Sequence, residues 1–347
     1  MVDKEKTKAL HQAVKPFAKS TTSKSVIQMV NTLIPLVLLL VAGYIVAEYT
    51  LLGAAVISVV ASLFAVRTFI IFHDCTHGSF FKNRKLNAIV GTITGILTLF
   101  GYSKWRREHL IHHTSSSNLD KRGIGDIWVM TIDEYREASK MTRLGYRLYR
   151  NPIVMFGFGP LYLLLISNRK NRKDAKMDER LNTYFINFVL VAGYGALCYF
   201  VGWQSVLVVS GLSMFIAGSL GIWLFFIQHT FEDSYFEWTE EWDYVKAAVE
   251  GSSYYHLPKP LQWLTGNIGF HHVHHLAPRV PNYELEDAHM QTPPLQQAPT
   301  ITIKKSLDSL KYKLYNEETH YFITFRQFNK HFLKTTPNPL IPIKKAV

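Results

Sequence analysis

Long apolar runs separated by basic, polar stretches set the pattern of this chain. Residues 26–47, 51–72, 183–203 and 205–228 each approach the roughly 20 apolar residues that a helix needs to cross a bilayer. The link between the first two carries only Glu48 as a charge. The link between the last two, Gly202-Trp203-Gln204, carries none. The pattern predicts two helical hairpins. Two shorter apolar runs, 86–102 and 153–166, lie near or below the spanning limit, and Gly157, Gly159 and Pro160 break the second. Both are expected to be re-entrant or interfacial helices. Residues 134–150, EYREASKMTRLGYRLYR, mix Arg and Lys with Tyr, Leu and Met. They read either as an interfacial helix on anionic lipid or as an ordinary surface helix.

Composition agrees with a membrane chain. Of 347 residues, 48% are hydrophobic, 14% aromatic and only 18% charged. The formal charge of +12 suits anionic lipid. Nucleic-acid binding would also explain a basic chain, but it does not fit the long apolar runs. Charge also sets the orientation. Lys4, Lys6, Lys8, Lys15, Lys19 and Lys24 precede the first run, and Arg169, Lys170, Arg172, Lys173, Lys176 and Arg180 follow Ile166. The hairpin links carry no Lys or Arg, so both termini and the long central stretch are expected in the cytoplasm. Arg67, near the inner end of the second run, is expected to snorkel to the interface. Cys75 and Cys198 lie near opposite ends of expected spans, and neither belongs to a CxxC. This supports neither a disulfide framework nor a zinc knuckle. The first run lacks a small-residue cleavage site and reads as a retained span, not a removed signal peptide.

The expected fold is an all-α integral membrane protein: four transmembrane helices in two hairpins, with a cytoplasmic helical cap holding a histidine-rich dimetal site. The expected division is a basic N-terminal segment (1–25), the first hairpin (26–72), a cytoplasmic and interfacial region (73–182), the second hairpin (183–228) and the cap (229–347).

Histidine carries the chemistry. Ten of the fifteen histidines fall in HDCTH, HLIHH, HHVHH and the single position His229; even scatter would put fewer than one there. On a helix, positions i, i+3 and i+4 share a face. His73 and His77 are i, i+4, and His109, His112 and His113 are i, i+3, i+4, as are His271, His274 and His275. Each set is expected to aim at one point. His272 lies about 100° round the helix from His271 and is left out of the ligand set, as a supporting or merely exposed residue. His73 and His229 directly follow the second and fourth runs. A shared site therefore requires both short apolar runs to return to the side they left. Nine imidazoles exceed the needs of one metal and suit two with open positions. Imidazole serves zinc, copper, iron and nickel alike, so spacing does not choose the metal.

These residues resemble the membrane fatty acid desaturases. His73-x-x-x-His77, His109-x-x-His112-His113 and His271-x-x-His274-His275 match that family's three histidine boxes, and His229 in QHTFED resembles its isolated histidine. Three residues between His73 and His77 resemble the acyl-lipid branch. HDCTHGSFF, SSSNLDKRGIGDIW, QHTFEDSYF and GNIGFHHVHHLAPRVPNYEL are similar to the bacterial, Bacillus-type acyl-lipid Δ5 desaturases. The resemblance covers nearly the whole chain. It implies a di-iron centre (Fe2+/Fe3+) in the cytoplasmic face of the plasma membrane, held by His73, His77, His109, His112, His113, His229, His271, His274 and His275. It implies O2 as co-substrate, two electrons from a separate donor, and a cis double bond placed in a saturated acyl chain of membrane phospholipid. The donor implied is a soluble ferredoxin or flavodoxin, usually acidic, which would suit a basic face; the chain has no haem-domain signature and no GxGxxG of its own. Some animal members carry Asn four residues before the isolated histidine, holding a metal-bound water. Here that position is Phe225, which leaves a tenth coordination position unassigned.

The chemistry is consistent with the ligand set. An unactivated methylene has no acidic proton and no leaving group, so a redox metal must carry the step. Trp105 and Trp263 are candidates for the wall of an apolar acyl channel, against a plain packing role. Asp74, Glu108, Glu232 and Asp233 are candidates to orient imidazoles, against solvent-facing caps. A hydroxylase of alkane, sterol or carotenoid would share the ligands, and the whole-chain resemblance favours desaturation over it. A metal transporter or sensor would place polar ligands near the bilayer midplane, whereas these histidines sit at span ends. A zinc protease would want HExxH, but Asp74 stands where its Glu would be.

Overall fold

The structure, a computed structural model, describes residues 4–332. Residues 1–3 and 333–347, assigned above to the ends of the N-terminal segment and the cap, lie outside the described residues. Helix α1 (Lys4–Val14) leads into α2 (Thr22–Ala47) and α3 (Leu51–His77), which pack side by side as the first hairpin. Along α2 the usual globular pattern is inverted. Val30, Ile34, Val37, Leu38, Val41 and Ile45 face outward, while Gln28, Thr32 and Gly43 are buried. An apolar outside and a polar inside belong to a helix solvated by lipid. On α3 the buried face is built from small residues, Ala54, Ser58, Ala61, Ser62 and Ala65, which lets the second hairpin approach closely.

Helix α3 runs five residues beyond the expected span, so His73 and His77 lie on its last turns. It stops because Gly78 adopts φ +67, a left-handed conformation that glycine takes without strain. The next run forms α4 (Arg84–Thr98), capped by Asn83, and then bends by 95° into α5 (Tyr102–Ser115). Residues 134–150 do not form one helix. The chain breaks at Ala138, giving α6 (Ile132–Glu137) and α7 (Lys140–Tyr149), because Thr131 and Ser139 each cap a new start. Met141, Leu144 and Leu148 make an exposed apolar stripe on α7, while Tyr146 is buried, which favours the interfacial reading over an ordinary surface helix. After a 67° bend comes a π-helical turn (Val154–Phe158) and then α8 (Gly159–Leu165).

The second hairpin is α9 (Met177–Val201) followed by α10 (Trp203–Val206), a π turn (Leu207–Gly211) and α11 (Leu212–His229). Among the described residues, four helices are thus long and apolar enough to span. Neither bent segment adds a lone crossing, because the histidines before and after each one meet at a single site. The cap contains α12 (Tyr244–Val249), α13 (Lys259–Leu264), α14 (His271–Leu276) and α15 (Leu285–Gln291). Short strands that the sequence did not reveal also occur: β1 (Met130–Thr131) in the 73–182 region, and β2 (Tyr254–His256), β3 (Thr300–Thr302), β4 (Leu314–Asn316) and β5 (Tyr321–Ile323) in the cap. β2 pairs in parallel with β3, and β4 lies between parallel β1 and antiparallel β5.

Two further expectations change. The N-terminal segment docks onto the cap, with Val14 buried in the cluster that holds Phe270, Val273 and Leu276. Arg67 does not snorkel. It is buried, its Nε donates to Thr32 Oγ1 at 3.0 Å, and its Nη1 donates to the Trp263 carbonyl. Its guanidinium lies 3.9 Å from the Trp263 ring centroid, tying α13 to the spans. Cys75 and Cys198 are both free thiols, in line with the spacing.

Candidate metal centre

The nine histidines converge on two adjoining clusters. His73, His77, His109, His113 and His274 form one, and His112, His229, His271 and His275 the other; within each, the candidate ligand atoms lie within 4.8 Å of one another. The expectation that each HxxHH set aims at one point is corrected. On α5, His109 and His113 serve the five-histidine cluster and His112 the other; on α14, His271 and His275 serve the four-histidine cluster and His274 the other. Helix geometry explains the split. At about 100° per residue, i and i+4 are only ~40° apart, whereas i+3 lies ~60° to the other side of i. Each HxxHH therefore straddles two neighbouring points.

Six Nε2–Nε2 approaches of 2.9–3.3 Å knit the rings together. Three rings have their tautomer set from behind. Nδ1–H of His73 donates to Asp74 Oδ1 at 3.1 Å, that of His112 to Asp126 Oδ1 at 2.5 Å, and that of His229 to the Gly251 carbonyl at 3.1 Å. Their Nε2 lone pairs must then point inward. Nδ1 of His113, His271 and His274, and Nε2 of His77, are buried without a partner. Where Nδ1 carries the proton, as in His73, His112 and His229, the inward Nε2 atoms present lone pairs to one another, which cations seated between the rings would take up. Burial, reinforced by neighbouring imidazoles, holds His109, His113, His271, His274 and His275 well below the ordinary histidine pKa. These five rings are therefore neutral, the form that ligates metal. Donor chemistry, burial and supporting hydrogen bonds all fit two metal ions.

The surrounding residues divide differently from the expectation. Asp74 does orient an imidazole, and its Oδ2 also accepts from the Asn282 amide and side chain at 2.7 and 2.8 Å. Glu108 instead faces Lys104 at 3.9 Å, and Glu232 and Asp233 are exposed on the turn after His229. Trp105 stacks on His109 with ring centroids 4.1 Å apart. Trp263 has no ring contact with the nine histidines and is held by Arg67 instead. His272 is not merely exposed. It is fully buried and turned away, with Nε2 3.0 Å from His289 Nδ1. Phe225 packs its ring 5.0 Å from that of His112 and 5.2 Å from that of His229. Sequence reading missed Asp126, the Gly251 carbonyl and His289. Asp126 sits in the GIGDIW stretch, but nothing local links it to His112.

Paired all-histidine clusters, sealed where two helical hairpins end, define an integral membrane protein built to hold metal. Comparison with known proteins then narrows the class. A family model described as fatty acid desaturase matches residues 49–303, which include all nine histidines. The chain is 54% identical over 332 residues to a fatty acid desaturase of Bacillus subtilis (strain 168), covering 96% of this chain and 94% of that one. It is 28% identical over 236 residues to a chloroplastic omega-6 fatty acid desaturase of Arabidopsis thaliana, covering 64% of this chain and 49% of the plant protein. It is 24% identical over 230 residues to the sn-1 oleoyl-lipid 12-desaturase of Synechocystis sp., covering 64% of this chain and 63% of that one. The chain belongs to the fatty acid desaturase family. It is an oxidoreductase, a desaturase.

Proposed function

We propose that the protein is an acyl-lipid desaturase that places a cis double bond, at Δ5, in a saturated acyl chain of membrane phospholipid. It works in the plasma membrane, with both termini and the histidine clusters on the cytoplasmic side. The proposed ligands are His73, His77, His109, His113 and His274 for one iron and His112, His229, His271 and His275 for the other. The proposed organisation keeps the five segments of the sequence reading, with 1–25 and 229–347 brought together as one cap. The observation that carries the reading is the pair of largely buried histidine clusters at the ends of the spans, in a chain whose family desaturates fatty acids.

When bound, the two irons would supply the oxidising power, drawn from O2 and two electrons, that an unactivated methylene requires. The chain does the rest. Asp74, Asp126 and the Gly251 carbonyl fix three rings with their Nε2 atoms inward. Trp105, itself packed on Phe69 and Phe72, braces His109. Burial of eight of the nine rings excludes bulk water, and it keeps His109, His113, His271, His274 and His275 uncharged. Electrons come from a soluble ferredoxin or flavodoxin, whose usual acidity complements the net charge of +12. The B. subtilis relative supports a bacterial fatty acid desaturase, and the name of the cyanobacterial one, which refers to a lipid-linked oleoyl group, supports the acyl-lipid reading.

The test is expression in a host with only saturated lipids, with iron and a donor supplied. Mass spectrometry that localises double bonds should find Δ5 unsaturation on phospholipid. A bond elsewhere would refute the regiochemistry, and a hydroxylated product would favour the hydroxylase. Saturated lipid alone would sink the enzyme reading.

A further inference from the structure

The four-histidine cluster has one polar side. A cavity of about 20 Å³ adjoins His112 and His229 there, with Asp126, Thr230 and Ser117 in its wall and Phe225 closing the apolar side. Three polar atoms of these residues are buried without a partner: Asp126 Oδ2, Thr230 Oγ1 and Ser117 Oγ. Arg122 also lines the cavity, but its guanidinium is committed to Glu134 and to the carbonyls of Leu119 and Val129. A buried water needs at least roughly 10–15 Å³ and two to four polar partners. The cavity meets both conditions for one molecule.

We propose that Asp126, Thr230 and Ser117 hold one ordered water against the four-histidine cluster, with Asp126 the positioning residue for both that water and His112. The inference rests on the reading of the nine histidines as metal ligands. Asp126 Oδ1 takes the His112 Nδ1–H, so Oδ2 is left to accept from the water. The hydroxyls of Thr230 and Ser117 then donate to it. The carboxylate is brought there by a close approach. Gly125 adopts φ +75, and a Cβ on it would meet the Glu108 carbonyl oxygen and His112 Cβ at 3.1 Å. The same loop exposes Lys121, Gly123 and Gly125 to solvent. Asp126 thus stands between solvent and the cluster. Desaturation needs such a link: two hydrogens leave the acyl chain, and O2 takes up two electrons and two protons, giving two waters. The held water is the polar step between the sealed clusters and the outside.

Purified holoenzyme, wild type against Thr230→Val and Ser117→Ala, tests this. Iron per chain and the ratio of turnover in H2O to that in D2O are measured for each. Both variants should keep the wild-type iron content while the solvent isotope effect changes by about twofold or more. An unchanged isotope effect in both overturns the water site. Loss of iron in Thr230→Val overturns it too, since Thr230 would then be supporting His229. If Thr230→Val does not fold, Ser117→Ala decides by the same readouts. A wild-type chain that binds no iron would instead refute the ligand reading beneath the proposal.

Discussion

Asp74 and Asn282 lie 208 residues apart and meet inside the cap, where Asp74 Oδ2 accepts both the backbone N–H and the side-chain N–H of Asn282. The other oxygen of the same carboxylate takes the His73 Nδ1–H. One side chain thus sets an imidazole and pins the loop after α14. In Asp74→Asn, an amide that still accepts from His73 turns its NH2 toward two donors. Groups placed behind metal-bound histidines are worth about 10–100-fold in affinity. Asp74→Asn should weaken metal binding by that order, read as iron per chain during titration with a chelator. Retention equal to wild type would refute the role.

His272 and His274 are two residues apart and should behave differently. His274→Ala removes one of five rings from its cluster and should abolish product and lower bound iron. His272→Ala removes a ring outside both clusters, leaves a void and strands His289 Nδ1. It should keep its iron and lose about 2 kcal/mol or more of stability, read as a lower thermal midpoint in detergent. Equal loss of iron at both would show that the two clusters are wrongly drawn.

Stability of the metal-free protein should fall with acidity. Burial and then His289 hold His272 down at about 3, and His109, His113, His271, His274 and His275 are also held well below 6.5. Unfolded, each would protonate near 6.5, so below that pH the unfolded chain binds more protons than the folded one. The stability these rings allow is complete above 6.5 and is lost as pH drops, down to about 3 for His272. Each ring contributes up to about 1.4 kcal/mol per pH unit. The thermal midpoint should be lower at pH 5 than at pH 7.5; the opposite order would contradict neutral burial.

Arg67→Met tests the joint between spans and cap. It removes the donor to the Trp263 carbonyl and to Thr32 Oγ1 but touches no histidine. Stranding those acceptors should cost about 1–3 kcal/mol while iron content stays at the wild-type level. A variant as stable as wild type would show that the clamp contributes little.

The spans were legible because lipid demands long apolar runs, and eight of the nine histidines because their spacing is helical; His229 stood out only by its place at the end of a span and by the family resemblance. The split of each HxxHH between two clusters was implicit in the 40° and 60° offsets of a helix, yet it emerges only once a second helix supplies neighbouring rings. Arg67 looked like an interfacial charge because sequence carries no sign of the Trp263 carbonyl 196 residues away. The strands are two or three residues long, too short for any alternation to register. Glu232 and Asp233 drew attention by adjacency to His229, while Asp126, which does hold a ring, is brought in by a loop.

The sharing of rings between α5 and α14 also bears on how the protein is made. His274 completes the five-histidine cluster, and three of the four rings in the other come from His229 onward. A ribosome must therefore deliver most of the chain, with both hairpins inserted, before either cluster closes. A half-made chain offers no finished seat for a redox-active ion, so its loading would be deferred until the shell that guards it exists.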